Sequence, residues 1–109
     1  MSQLKQLAEA YFNAWMNKDS SQLSNLLAED VQLTDWNVYV AGKNSLIEFN
    51  NKFFDSVQTL DVKVKSIVNE KDTVVAELDI TVDETKIKVV DILLFDQYNK
   101  IISIHAYKG

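Results

Sequence analysis

The chain contains no cysteine, no proline and no arginine, and only two glycines and one histidine in 109 residues. Without cysteine there are no disulfides and no thiolate metal sites. Glycines confined to Gly42 and Gly109 cannot build the glycine-rich loops that cradle phosphates. All 11 basic residues are Lys, so the planar fork that grips phosphate through two parallel hydrogen bonds is missing. Acidic residues number 16, leaving a formal charge of −5, which disfavours nucleic acid and anionic membrane surfaces as partners. No apolar run approaches the roughly 20 residues of a membrane-spanning helix. The stretch from Met1 to Leu7 carries one Lys and no long apolar run, unlike a signal peptide. A soluble, cytoplasmic protein is expected.

What is present is an ordinary globular composition, 47% hydrophobic and 25% charged, which argues against disorder. The length supports one domain spanning residues 1–109. Leu4, Leu7, Ala8, Tyr11 and Trp15 fall at helical spacing and predict a first amphipathic helix. Asp19 or Ser20 can cap a second short helix whose buried face is Leu23, Leu26 and Leu27. Val31 to Asp35 reads as a strand and Val38 to Ala41 as another short one. Asn44 is a plausible cap for a third helix carrying Leu46, Phe49 and Phe53.

From Leu60 the apolar period becomes two, through Leu60, Val62 and Val64 and then Val74, Ala76, Leu78, Ile80 and Val82. Turn signals at Asn69 to Asp72, Asp83-Glu84 and Gln97 to Asn99 imply an antiparallel meander. The class is therefore α+β, with three helices on one face of a curved four-stranded sheet. Val89 to Phe95 and Ile101 to Ile104 break the alternation and are apolar on both faces. The face away from the helices is either an ordinary exposed patch or the seat of a second copy of the chain; a homodimer through the sheet is expected.

Asp91 is the most informative residue, because alternation places it on one face with Ile87, Val89, Leu93 and Phe95. A carboxyl among such neighbours must be protonated, paired or facing a polar cavity. Desolvation would keep it neutral and able to donate a hydrogen bond. The bland alternatives are an Asp paired with Lys or with backbone amides, and a bulge that turns it to water. Asp35, at a strand end beside Trp36, is either a general base in a partly dry cleft or a turn residue binding its own backbone. Tyr11 sits on the apolar stripe of the first helix, and its hydroxyl and Asp91 each need a partner. His105, alone of its kind, is a weak metal ligand and is read as structural or interfacial. Asn50 either lines a cavity or faces solvent.

These residues meet a known pattern. Ala10-Tyr11-Phe12-Asn13-Ala14-Trp15-Met16-Asn17-Lys18-Asp19, then Leu26-Leu27-Ala28-Glu29-Asp30-Val31 with Asp35, and Gly42-Lys43 ahead of a helix, resemble the SnoaL-like and ketosteroid-isomerase-like branch of the nuclear-transport-factor-two-like superfamily. Val90-Asp91-Ile92-Leu93-Leu94-Phe95-Asp96, Lys100-Ile101-Ile102 and Ala106-Tyr107 extend the likeness over nearly the whole chain. The resemblance implies a cone-shaped, cystatin-like α+β fold, with three N-terminal helices on a curved, mainly antiparallel sheet enclosing one pocket. It also implies catalytic roles without metal or cofactor: Asp35 as general base, Tyr11 and a protonated Asp91 as donors to a developing enolate. Ketosteroid isomerase is itself the standard example of an Asp kept neutral by an apolar site. The pocket expected around the triad is lined by Trp15, Trp36, Phe49, Asn50, Phe53, Val89, Ile104 and Ala106.

Several positions depart from the steroid enzymes. Asn50 and Leu27 stand where supporting tyrosines lie, Trp36 replaces a Pro, and Lys108 takes the place of a pocket aromatic. These changes point away from a steroid and leave proton transfer intact. The expected ligand is a small apolar or carbonyl-containing molecule, and the expected activity leans to an isomerase or a related cyclase or dehydratase. The alternative is a non-catalytic ligand-binding or dimerisation domain on the same fold.

Overall fold

The structure, a computed structural model, describes residues 2–109. Met1, the first residue of the stretch read above against a signal peptide, lies outside them. The elements run α1 (Gln3–Met16), α2 (Ser20–Leu26), β1 (Leu27–Thr34), β2 (Tyr39–Ala41), α3 (Lys43–Ser56), β3 (Leu60–Glu70), β4 (Thr73–Val82), β5 (Thr85–Phe95) and β6 (Ile101–Lys108). The strands form one mixed sheet in the order β2-β1-β6-β5-β4-β3. No helix among the described residues is long and apolar enough to cross a membrane.

Local chemistry explains the helix ends. Ser2 caps α1 by accepting a hydrogen bond from the Lys5 amide at 3.2 Å, and its hydroxyl donates to Asn69 Oδ1 at the distant β3–β4 turn. Asp19 caps α2, accepting from the Gln22 amide at 3.1 Å. The expected Asn44 cap of α3 is not found. Gly42 takes that position at φ 96°, a backbone conformation that favours glycine, and no side chain caps the helix.

Six strands replace the four expected, because β1 and β2 join the sheet at its edge. β1 begins at Leu27, directly after α2, so Leu27 belongs to the sheet and not to the helix face assigned above. β1 lies parallel to β6, which the long excursion of the chain between them permits; every other neighbouring pair is antiparallel. The helices are not all N-terminal to the strands, since α3 follows β1 and β2. From β3 to β6 the meander is as expected. Its turns carry Lys71, Asp83 and Asn99 at positive φ.

The helices divide the sheet. α1 packs mainly on β3 and α3 on β1 and β2, while α2 bridges the two helices. The core is continuous beneath them, with Ala8, Leu23, Leu46, Val31, Val74, Leu93 and Ile101 all fully buried. Between α1 and α3 the central strands β5 and β6 form the floor of a space that the side chains only partly fill.

Candidate functional site

That space is a cavity of about 200 Å³. It exceeds the ~150 Å³ that holds a benzene-sized guest and falls below the roughly 300–1,000 Å³ typical of drug-sized ligands. Tyr11, Phe12 and Trp15 come from α1, and Phe49, Asn50 and Phe53 from α3; β5 and β6 supply Val89, Asp91, Ile104 and Ala106. Asp35 and Trp36 stand just beyond β1, in the short loop to β2.

All eleven residues singled out from the sequence as catalytic or pocket-lining therefore border one cavity. Sequence reasoning missed Phe12, Leu33, Val62, Leu78, Ile80, Val82 and Ile87, which complete the wall. The signal was available in part. Ile87 shares the inward face of β5 with Val89 and Asp91, and Val62, Leu78 and Ile80 lie in register beside that face. A second depression, of about 360 Å³, is bordered by Asp61, Lys63, Asp79, Lys86 and Lys88. Its lining is charged, so the expectation of one enclosing pocket becomes one apolar cavity beside a second, charged hollow.

Asp91 occupies a regular position in β5, opposite Ala76 on β4 and Ala106 on β6, so no bulge turns it outward. Its residue is 8% exposed, and none of the four ion pairs among the described residues includes it. Burial, with Asp35's charge as a second cause, pushes its carboxyl up from 3.8 to about 7. Tyr11 is 3% exposed, and burial raises its hydroxyl far above the ordinary phenol range, with Asp91's charge adding to the rise. The link between Tyr11 and Asp91 is Coulombic.

Asp35 is half-buried and held by its own turn. Its Oδ1 accepts from the Asn37 amide at 2.7 Å and the Val38 amide at 2.8 Å, while its amide donates to the Val38 carbonyl at 3.0 Å. The turn reading and the cavity reading of Asp35 thus describe the same residue: one carboxylate oxygen fixes the loop, and the residue borders the cavity. Trp36 is 43% exposed at the mouth, with the Lys108 ammonium 6.0 Å from its ring centre.

Two further polar groups border the cavity. Asn50 is 1% exposed, and neither atom of its carboxamide has a partner; the Trp15 indole Nε1 is likewise buried and unpaired. That nitrogen lies close enough to the Tyr11 oxygen to oppose part of the rise in its pKa, yet makes no hydrogen bond of acceptable geometry. His105 sits apart, exposed on the opposite face of the sheet between Ile92 and Thr34. No cluster of three or more His, Asp and Glu residues forms a candidate metal site among the described residues.

Three helices on a six-stranded mixed sheet, with polar groups set beside an apolar cavity, define an α+β class of domain. Within it the chain belongs to the SnoaL-like domain family, whose family model matches residues 8–104. Solved structures agree on the fold. A protein provisionally described as a ketosteroid isomerase from Kribbella flavida DSM 17836 superposes with a TM-score of 0.89 at 16% identity, over 98% of this chain and 78% of that one. One described in the same provisional way as a SnoaL-like polyketide cyclase from Shewanella putrefaciens CN-32 gives 0.89 at 20%, over 99% and 80%. An LEH-like epoxide hydrolase from M. tuberculosis gives 0.80 at 16%, over 95% and 80%. Likeness at these identities establishes the fold alone. A comparison with curated proteins gave no match.

Proposed function

We propose that the protein catalyses cofactor-free proton transfer, an isomerisation, on a small apolar carbonyl compound. The observation that carries the reading is the unequal setting of two carboxyl groups on one apolar cavity. Asp91 is dry and shifted to about 7, while Asp35 is half-buried and held by backbone amides at the mouth. Such a pair divides into a proton donor and a base.

In this mechanism the Asp35 carboxylate removes a proton from the carbon beside the carbonyl. The electron pair of the broken C–H bond moves into the adjacent C–C bond, and negative charge develops on the carbonyl oxygen. Tyr11 and protonated Asp91 donate hydrogen bonds to that oxygen in surroundings where such bonds are strong. Asp35 then returns the proton to the far carbon of the conjugated enolate, and the double bond has moved. Atoms and charge balance without a further reactant. The cavity volume favours a single-ring substrate over a steroid.

The test is conversion of a β,γ-unsaturated cyclic ketone to its conjugated isomer, followed by ultraviolet absorbance. Asp35→Asn keeps an oxygen for the Asn37 and Val38 amides and removes the base. It is expected to lower turnover by roughly 10²–10⁴-fold with the fold unchanged. Turnover at the wild-type rate in Asp35→Asn contradicts the reading.

The second reading, a ligand-binding or dimerisation domain, draws on the far face of the sheet. There Val68, Val90, Leu94 and Tyr107 are exposed, and Val75 and Ile92 lie between them in register. We propose that a second copy of the chain covers this face, whichever chemistry the cavity performs.

A further inference from the structure

The cavity mouth carries a cation that proton transfer does not use. Lys108 stands opposite Val89 in the register of β5 with β6, and directly opposed residues of an antiparallel pair share one face of the sheet. It therefore continues the inward row of Ile104 and Ala106 along β6, one step beyond the last of them to line the cavity. Its ammonium lies 6.0 Å from the centre of the Trp36 ring, which is itself part of the lining.

An acid would ordinarily answer such a charge. None of the four ion pairs among the described residues includes Lys108. Asp35, the acid of the same loop as Trp36, is instead met by the Asn37 and Val38 amides. The Trp36 ring attracts the cation through its face but offers no lone pair to the three N–H donors. Tyr11 and Asp91 are buried, whereas Trp36 is half-exposed. A ligand whose carbonyl oxygen sits on Tyr11 and Asp91 thus turns its other end towards Trp36 and Lys108.

The chemistry of that end follows from the ammonium. It only donates, so the ligand must accept, and a fixed positive charge favours an anion over a neutral acceptor. A single ammonium suits a single negative charge. Phosphate, close to doubly charged at neutral pH, is better held by several cations or by an Arg fork, and the chain has no Arg.

We propose that Lys108 is a specificity residue at the cavity mouth, and that the natural ligand is a single-ring carbonyl compound with a carboxylate on a short chain remote from the carbonyl. The inference rests on the cavity reading above and adds the charge of the ligand's outer end. The ring fills the apolar cavity, while the carboxylate stays in water beside Lys108.

Phenols test it, since a phenol oxygen occupies the position of an enolate oxygen. Para-hydroxyphenylpropionate and its carboxamide have the same phenol and nearly the same shape, and differ in the charge of the tail. Their binding, and that of para-cresol to wild type, is followed by NMR shift titration. At low ionic strength wild type is expected to prefer the acid over the amide by about fivefold, the upper worth of an exposed ion pair. Added salt should shrink that preference, Lys108→Met should abolish it and Lys108→Glu should reverse it. The salt series in wild type suffices if a variant fails to fold. Equal binding of acid and amide by wild type, a preference that salt leaves unchanged, or one that survives in Lys108→Met overturns the inference. Cresol binding then leaves the cavity reading standing. Binding of none of the three compounds overturns both.

Discussion

Asp91 owes its state to solvation more than to any single contact. A carboxyl surrounded by Val89, Leu93 and the cavity loses hydration that ionisation would need, and Asp35 adds like charge. The consequence for stability has a definite sign. The folded value lies above the unfolded one, so the unfolded chain releases this proton first as pH rises from 3.8 towards 7. Over that window the unfolded state binds fewer protons, and this group's contribution falls with rising pH before levelling above 7. At ~1.4 kcal/mol per tenfold, the cost above neutrality is on the order of 4 kcal/mol, an upper figure for a group that borders a cavity. Asp91→Asn removes the titration. Its stability relative to wild type should therefore rise between pH 4 and pH 7, as read by urea denaturation at a series of pH values. A difference independent of pH would mean that Asp91 ionises normally. This residue was legible in the sequence because a lone acid in a two-sided apolar strand has few explanations. The unpaired state of Asn50 was not, since α3 could be rotated either way until β1 and β2 were placed under it.

At the scale of elements, the site depends on how β1, β2 and α3 enter the sheet. The sequence pattern made α1, α2 and the meander from β3 to β6 legible, because their apolar periods are long and their turns are marked by Asn, Asp and Lys. The parallel pairing of β1 with β6 was hidden, since a short strand of mixed burial carries no sign of its partner's direction. The bulge between Val64 and Ser66 was hidden too; it passes the inward face from Val64 to Ile67. Gly42 joins β2 to α3, and its amide donates to the Val31 carbonyl at 2.7 Å. A Cβ at this position would meet nothing within 4 Å, so Gly42→Ala tests backbone conformation alone. The positive φ should cost about 1–3 kcal/mol of stability, measured by thermal or urea unfolding. A smaller loss would show that the β2–α3 junction relaxes readily.

For the whole molecule, the apolar residues that helices do not cover set the expected assembly. On the far face, Val90 neighbours Tyr107 across β5 and β6, and the row from Val68 through Val75 to Ile92 crosses β3, β4 and β5. Charged residues flank it, with Asp79 contacting Lys65 at 3.6 Å and Lys88 at 4.0 Å. A dimer across this face should sediment as a single species of twice the 12.5 kDa chain mass. Ile92→Lys should shift it to monomer while leaving the cavity's ligand binding in place. A wild-type chain that sediments as monomer at all concentrations contradicts the assembly, but not the chemistry of the cavity on the opposite side of the sheet.

Carboxyl-carbon NMR titration reads directly whether Asp91 is held neutral on the cavity that it shares with Asp35. With Asp91→Asn and Asp35→Asn used for assignment, Asp91 should titrate near pH 7 and shift lower when Asp35 is made neutral. Titration of Asp91 near 3.8, unmoved by Asp35→Asn, would contradict the account.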